Sequence, residues 1–301
     1  MHDLISTERV RVEPDTSAID GHIAFSPSRA LWLLTHGVLG AVGVLFFPSP
    51  EAPAVFVLLT AITICAGHSV GMHRLLIHRS FETRRSVEYF LVWLGTLVGM
   101  AGPFGMIKAH DMRDWHQRQT DCPPHPAHAA GFARDAWWQL CCQLELSNPP
   151  TFVLEDRVKH DRVYWFMERY WMLQQVPLAL ALYCFGGLSW VLWGCCLRTF
   201  VSLVGHWMMG HFAHSRGQQG WKIDGLPVQG YNLPGFGLVT FGENWHGNHH
   251  AFPYSAQLGT ERGQLDPGYL FIRFLERVGL AHDVKTPGSM PERRGLTKIV
   301  S

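Results

Sequence analysis

Three histidines late in the chain have the spacing of a metal site. The stretch 239–256 contains His246, His249 and His250 in an H-x-x-H-H pattern. On a helix, positions i, i+3 and i+4 share one face, so the three imidazoles are expected to converge. Imidazole binds iron, zinc and copper. The pattern therefore predicts a metal centre, and a solvated surface triplet is the alternative.

A second pair of histidines, His73 and His78, follows an apolar run with H-x4-H spacing. Five residues turn an α-helix about 140° past its starting direction, so this pair does not share one face of a straight helix. The two side chains are expected to bind different metal ions, or one ion where the helix is irregular. A basic cluster at a membrane boundary with incidental histidines is the alternative.

The composition is typical of a membrane protein, with 47% hydrophobic and 16% charged residues and a net charge of +1. This charge balance favours no nucleic-acid partner. The seven cysteines contain no C-x-x-C, and two pairs of them are adjacent, so we expect reduced thiols. Residues 1–22 carry both charge signs and no apolar run, so no cleavable signal peptide is expected.

Apolar runs predict four transmembrane helices in two hairpins. The predicted spans are approximately 30–47, 54–70, 172–186 and 188–207. The connectors near residues 50 and 187 carry no Lys or Arg, whereas the loops that bear histidines are rich in them. The positive-inside rule then predicts a multi-pass integral membrane protein whose active site is on the cytoplasmic side.

The segment 88–107 is apolar enough to be a further span. If it crossed the membrane, His110 would lie on the opposite side from His73 and His78. We therefore predict a helix that lies in the membrane interface, or one that enters the membrane and returns to the same side, with Gly102-Pro103 permitting the bend. The expected fold is an all-α, single-domain membrane protein over 1–301, in which a cytosolic helical cap (108–171 and 208–285) holds a dimetal site.

Together, the histidine boxes and hairpins resemble the membrane fatty acid desaturases, specifically the acyl-CoA type. H-x4-H lies just past the first predicted hairpin, a middle box follows, and G-E-N-W-H-G-N-H-H-A-F-P at 242–253 comes after the second. The likeness covers most of residues 30–260. In that family the fold carries two irons on the cytosolic side, above a kinked channel for an acyl chain.

This resemblance implies O2-dependent insertion of a double bond into a fatty acyl chain, most often a CoA ester and commonly at the ninth carbon. It implies two iron ions as cofactors and electrons from a separate carrier, such as ferredoxin, rubredoxin or cytochrome b5 with its reductase. No His-Pro-Gly-Gly of a fused cytochrome b5 occurs in the chain. The iron ligands that the resemblance implies are His73, His78, His110, His206, His246, His249 and His250.

The middle box departs from the family pattern G-P-x6-H-R-x-H-H. Gly102-Pro103 leads to His110, but Arg113 and Asp114 stand where the last two histidines are expected. Asp114 is i+4 from His110 on one helix face, and a carboxylate is an acceptable iron ligand, so Asp114 is a candidate substitute. Matching His116 to the final histidine is the alternative alignment.

The segment before the third box departs from the family too. Ser202 takes the place of the Asn in the family's Asn-x3-His, and His206 matches the histidine. His211 and His214 are extra candidate ligands, and a solvated or hydrogen-bonding role is the alternative.

Other polar residues have candidate supporting roles. Residues expected to orient imidazoles by hydrogen bonds are Ser202, Glu243, Asn244 and Asn248, although Glu243 and Asn244 are equally suited to capping a helix. Residues expected to attract an acidic headgroup such as CoA are Arg74, Arg79, Lys108 and Arg113, and positive-inside charge explains them equally well.

Two other functions compete with desaturation. The same diiron scaffold can hydroxylate an acyl or alkyl chain or form an acetylenic bond, because only the pose of the substrate differs. The altered middle box also suits a metal-binding membrane protein without desaturase activity.

Overall fold

The computed structural model describes residues 9–299, and within them the protein is mostly helical. The α-helices are α1 (Pro27–Phe46), α2 (Ala52–Ile62), α3 (Arg85–Thr96), α4 (Pro103–Gln117), α5 (Phe132–Cys141), α6 (Asp156–Lys159), α7 (Arg162–Arg169), α8 (Gln175–Val191), α9 (Arg198–Ser215), α10 (Gly237–Thr240), α11 (His246–Ala251) and α12 (Pro267–Arg277). A π-helix over Thr63–Ile77 continues α2, and another over Leu192–Leu197 joins α8 to α9.

Among the described residues, three helical stretches are long and apolar enough to cross a membrane: Pro27–Phe46, Ala52–Ile77 and Met172–Ser215. The last of these folds back on itself at Gly187, where φ is 64° and ψ is −160°, a conformation that glycine adopts with little strain. A Cβ at Gly194 would lie 2.8 Å from Leu182 Cδ1, so the helix before Gly187 packs against the helix after it. The predicted turn near residue 187 is confirmed. The second stretch continues to Ile77 and the third to Ser215, both beyond the predicted spans.

The π-helix brings two of the predicted ligands together. The His78 N–H donates to His73 O at 3.1 Å, a bond that spans five residues. A π-turn closes over five residues, so His78 follows His73 on the same side of the helix, and their ring centroids are 4.8 Å apart. The α-helical separation of about 140° therefore does not apply here. π-Helices often occur at functional sites.

The stretch 88–107, predicted as one interfacial helix, is two helices in the structure. α3 ends at Thr96, Gly99 has a φ of 87°, and α4 begins at Pro103. Proline suits the first position of a helix because its missing N–H has no partner there, and it cannot continue a preceding helix without losing a hydrogen bond. The break directs α4 back so that it carries His110 toward His78.

The all-α prediction also needs a correction, because residues 9–299 contain four two-stranded antiparallel sheets. The pairs are β1 (Val10–Arg11) with β5 (Thr151–Phe152), β2 (Gly21–Phe25) with β4 (Cys142–Leu146), β3 (Glu82–Thr83) with β7 (Ala281–His282), and β6 (Trp221–Ile223) with β8 (Leu296–Lys298). These strands hold loops of the cap together, and β8 extends the ordered cap beyond residue 285. All seven cysteines are free, as predicted.

Arg74 joins the apolar arms to the cap. Its side chain is 1% exposed, and Nη2 lies 2.9 Å from Asp266 Oδ1 and 3.4 Å from Glu243 Oε1. Asp266 also caps α12 by accepting from the Tyr269 N–H at 2.9 Å, as the Asp-Pro sequence indicates. The structure thus gives Arg74 a buried ion pair instead of the predicted headgroup contact.

Replacing Arg74 with methionine is expected to lower the free energy of unfolding by about 3–5 kcal/mol, because a buried carboxylate is left without its cation. Chemical denaturation in detergent micelles, after iron has been chelated, measures this change without a contribution from lost metal. The matched control is Arg273→Met, in which an exposed arginine is removed and a change within about 0.5 kcal/mol is expected. Equal losses in the two variants would contradict the stabilising role of Arg74.

Candidate metal centre

The first histidine group contains His73, His78, His110 and His249, whose ligand atoms all lie within 4.8 Å of one another. His73 Nε2 is 3.3 Å from His249 Nε2, and His78 Nε2 is 3.1 Å from His110 Nε2. The four side chains come from the π-helix and its end, from α4 and from α11. Three separate segments of the chain are therefore needed to form this group.

The second group contains His214, His246 and His250. His246 Nε2 is 3.0 Å from His214 Nε2 and 3.0 Å from His250 Nε2. His246 and His250 are i and i+4 on α11, whereas His249 is rotated about 60° from His246 and belongs to the first group. The prediction that all three imidazoles of the third box converge on one ion is thus corrected: α11 serves two adjoining groups.

The spacing of both groups and the protonation of three of their histidines suit metal binding. With metal–nitrogen bonds of about 2.1 Å, neighbouring ligand atoms are about 3.0 Å apart in an octahedron and about 3.4 Å apart in a tetrahedron. Burial, followed by the neighbouring imidazoles, lowers the pKa of His246 and His249 well below the ordinary value, and burial lowers that of His250 to about 4. Neutral imidazoles have a free lone pair for a metal ion, and uncoordinated lone pairs at these distances would repel one another.

In several of these rings, the Nδ1 atom lies close to an oxygen atom that can accept a hydrogen bond. His73 Nδ1 is 2.7 Å from Glu243 Oε2, and His110 Nδ1 is 3.1 Å from Asp111 Oδ1. His214 Nδ1 is 3.3 Å from Gln229 O. A proton on Nδ1 leaves the lone pair on Nε2, so these contacts set the tautomer that a metal requires. Glu243 therefore contacts His73, and the orienting role that the sequence predicts for it stays a prediction.

The sequence did not single out Asp111, although it directly follows His110. Asp111 is 1% exposed, and its Oδ2 accepts from Arg9 Nη1 at 3.1 Å. Arg9 also binds Glu155 at 2.7 Å, and strand pairing of β1 with β5 fixes both. A residue near the start of the described chain thus supports a histidine of the first group.

Glutamine in place of Glu243 is expected to weaken iron binding about 10–100-fold, since loss of a group that orients a metal-binding histidine typically has this effect. Glutamine preserves the size of the side chain but removes the charge beside His73. Titration with ferrous iron against a competing chelator measures the change. Glu261→Gln, on the exposed loop before α12, is the control with unchanged affinity expected, and equal affinities in both variants would refute the orienting role.

Other predicted residues support the fold around the groups. Asn248 Nδ2 donates to Leu258 O at 2.8 Å, and Asn244 Nδ2 donates to Leu233 O at 2.9 Å. Among the described residues, the side-chain amides of Asn244 and Asn248 contact neither group of histidine rings, since their partners are Leu233, Thr240, Asn232, Leu258 and Gln264. Ser202 Oγ is buried and has no hydrogen-bond partner within residues 9–299. The structure thus separates these three residues from the orienting role predicted for them.

Three predicted histidines lie outside both groups. The His206 ring packs 5.0 Å from that of His68, His116 Nδ1 is 2.7 Å from Met112 O, and His211 Nδ1 is 2.9 Å from Asp135 Oδ2. The register that matched His206 to the family pattern is therefore not the one that the structure uses. His214, eight residues later on α9, is the histidine that lies beside His246.

Asp114 lies near one histidine of each group. Together with His249 and His250 it lines a small cavity. Burial raises its pKa, but the neighbouring His110 and Arg118 hold the net value below the ordinary range, so Asp114 is a carboxylate. Asp114 is in neither group of ligand atoms, so its role as a substitute ligand stays a prediction. Of the other basic candidates, Lys108 is exposed and Arg79 is half-buried, whereas Arg113 lies next to the second group.

The chain is similar in sequence to proteins of one known family. A family model described as fatty acid desaturase matches residues 48–258. The chain is 33% identical over 260 residues to an sn-1 stearoyl-lipid 9-desaturase of Anabaena variabilis, with 84% of this chain and 93% of that protein covered. It is 33% identical over 246 residues to a Delta-9 acyl-lipid desaturase of Arabidopsis thaliana, covering 80% and 78%. It is 29% identical over 264 residues to an acyl-CoA 5-desaturase of Anemone leveillei, covering 85% and 80%.

Proposed function

Since the chain belongs to the fatty acid desaturase family and is a desaturase enzyme, we propose that it inserts a double bond at the ninth carbon of a fatty acyl chain, using O2 and two iron ions. The two adjoining groups of buried and half-buried imidazoles carry this proposal. Two relatives at 33% identity, both named as acting at position nine on lipid-bound chains, support that position. The acyl carrier is CoA or a membrane glycerolipid, because relatives of both kinds are similar to this chain.

In this proposal His73, His78, His110 and His249 hold one iron, and His214, His246 and His250 hold the other. Asp114, which lines a cavity with His249 and His250, would be a further carboxylate ligand. When bound, iron would supply the activation of O2 that dehydrogenation of an unactivated methylene needs, because no side chain is a strong enough oxidant.

The protein supplies ligand orientation and a dry surrounding. Glu243 and Asp111 contact Nδ1 of His73 and His110, where they would hold the Nδ1 protons and leave both Nε2 lone pairs for the first ion. Met72, Leu76 and Ile107 are fully buried and belong to one apolar cluster on the helices that carry the first group. This cluster excludes water from that side of the group.

The chain is proposed to cross the membrane four times, with the histidines on the cytoplasmic side. The absence of Lys and Arg near residues 50 and 187 supports this topology. A cysteine at Glu51 is expected to react with an impermeant thiol reagent added outside the cell, and a cysteine at Glu82 only after lysis, in a background without native cysteines. Electrons are proposed to come from a separate ferredoxin, rubredoxin or cytochrome b5.

Fatty acid profiling of an expressing host tests the proposed reaction, with His249→Ala as the matched control. New acyl chains lacking two hydrogens, with the double bond located at carbon nine by mass spectrometry of derivatives, are expected only with the unchanged protein. Gain of oxygen would instead identify a hydroxylase, and an unchanged profile despite bound iron would indicate a metal-binding protein without this activity. Purified protein supplied with stearoyl-CoA or with stearoyl phospholipid vesicles separates the two carriers.

A further inference from the structure

His128 is a buried histidine that the sequence patterns do not single out. It lies in the loop between α4 and α5 and is 2% exposed. Its Nδ1 is 3.0 Å from Asp135 Oδ2. Its Nε2 is buried and has no hydrogen-bond partner within residues 9–299. An unpaired buried nitrogen is costly, which calls for a partner of another kind.

Asp135 fixes the orientation of this ring. The carboxylate is 0% exposed, and its Oδ2 also accepts from Trp207 Nε1 at 2.9 Å and lies 2.9 Å from His211 Nδ1. An acceptor oxygen 3.0 Å from Nδ1 keeps the proton of His128 on Nδ1, so the lone pair is on Nε2.

That lone pair is directed to the face of α9 that carries His214. A Cβ at Gly210 would lie 3.0 Å from His128 Nε2, so the imidazole fills the space left by the missing side chain. Gly210 and His214 are i and i+4 and share one helix face. The rings of His128 and His214 are parallel within 5°, with centroids 5.8 Å apart.

The second group has a reason to need another ligand. It contains three imidazoles where the first contains four, and Arg113 occupies a middle-box position at which a histidine was expected. Arg113 cannot replace a ligand, because a guanidinium has donors and no acceptor. Its Nη1 would lie 3.8 Å from the same Cβ at Gly210, so it borders the space that His128 fills.

We propose that His128 is a further nitrogen ligand of the metal ion in the second group, oriented by Asp135. This inference rests on the proposed diiron function. His128, in the loop after the middle box, would then replace the histidine ligand that is missing at position 113. A carboxylate behind a metal-binding imidazole is a common arrangement, because it fixes the ring and makes the free nitrogen a stronger ligand.

The test uses the full-length protein in detergent, loaded anaerobically with ferrous iron. His128→Ala is expected to bind the second iron about 10–100-fold more weakly than the unchanged protein, with the first iron retained. X-ray absorption is expected to count fewer imidazoles per iron in His128→Gln than in the unchanged protein, and added free imidazole is expected to restore the second iron in His128→Gly. His211→Gln removes a neighbouring contact to the same carboxylate and is the matched control, with both irons retained.

Full retention of both irons in His128→Ala, with unchanged imidazole counts, would overturn the inference. Equal iron loss in His128→Ala and His211→Gln, without rescue by imidazole, would also overturn it, since this points to a structural role of Asp135 alone. The iron content of the unchanged protein is measured first. Fewer than two irons there would contradict the diiron proposal itself, whereas two irons there and in His128→Ala would contradict only the role of His128.

Discussion

Alanine in place of His249 is expected to remove iron from the first group and to lower desaturation by at least about 100-fold, because even residues that only orient a ligand alter metal affinity or activity by about 10–100-fold. His249 Nε2 is 3.3 Å from His73 Nε2, and its ring centroid is 4.6 Å from that of His78 and 5.7 Å from that of His246. This side chain thus lies at the junction of the two groups. Iron per chain and product formation by the purified protein measure both effects.

The control for this prediction is His116→Ala. His116 is buried in the same cap, but its Nδ1 contacts Met112 O and its ring lies outside both groups. Two irons and unchanged product formation are expected. Loss of iron from His116→Ala would revive the alternative alignment of the middle box, and full iron retention in His249→Ala would refute the assignment of the first group.

Alanine in place of His214 is expected to remove the second iron, so that the iron content falls from two ions to one per chain. The reason is the 3.0 Å separation between His214 Nε2 and His246 Nε2, which is the separation of neighbouring ligands on one metal. Desaturation is expected to fall below detection, because the proposed reaction needs both ions. Iron analysis and Mössbauer spectroscopy of the anaerobically loaded protein measure the loss.

His206→Ala is the control for this prediction. Both histidines are on α9, but the ring of His206 packs against His68 and is not part of either group. Retention of two irons is expected in His206→Ala. The reverse result, with iron lost from His206→Ala and kept in His214→Ala, would support the register that the family pattern suggested and contradict the geometry of the structure.

Local patterns in the sequence were sufficient to predict several features of the structure. Apolar runs located the helical arms, and the turn at Gly187 followed from a glycine pair inside one long apolar run. Asp266-Pro267 marked the start of α12, and the acidic residue of the third box proved to contact His73. Each of these depends on residues close together in the chain or on a motif with a rigid spacing, so a one-dimensional pattern contains the information.

The division of the histidines between two groups was decided by tertiary structure. H-x4-H belongs to one group because the helix is a π-helix there, and H-x-x-H-H serves two groups because α11 lies between them. His214 was chosen over His206 by the packing of α9 against α11. His128 is near the second group only because a loop far along the chain fills the space beside Gly210. The spacing of residues determines the direction in which their side chains leave one helix. A metal centre, however, is formed by several helices, and their relative positions depend on tertiary packing, which local spacing does not encode.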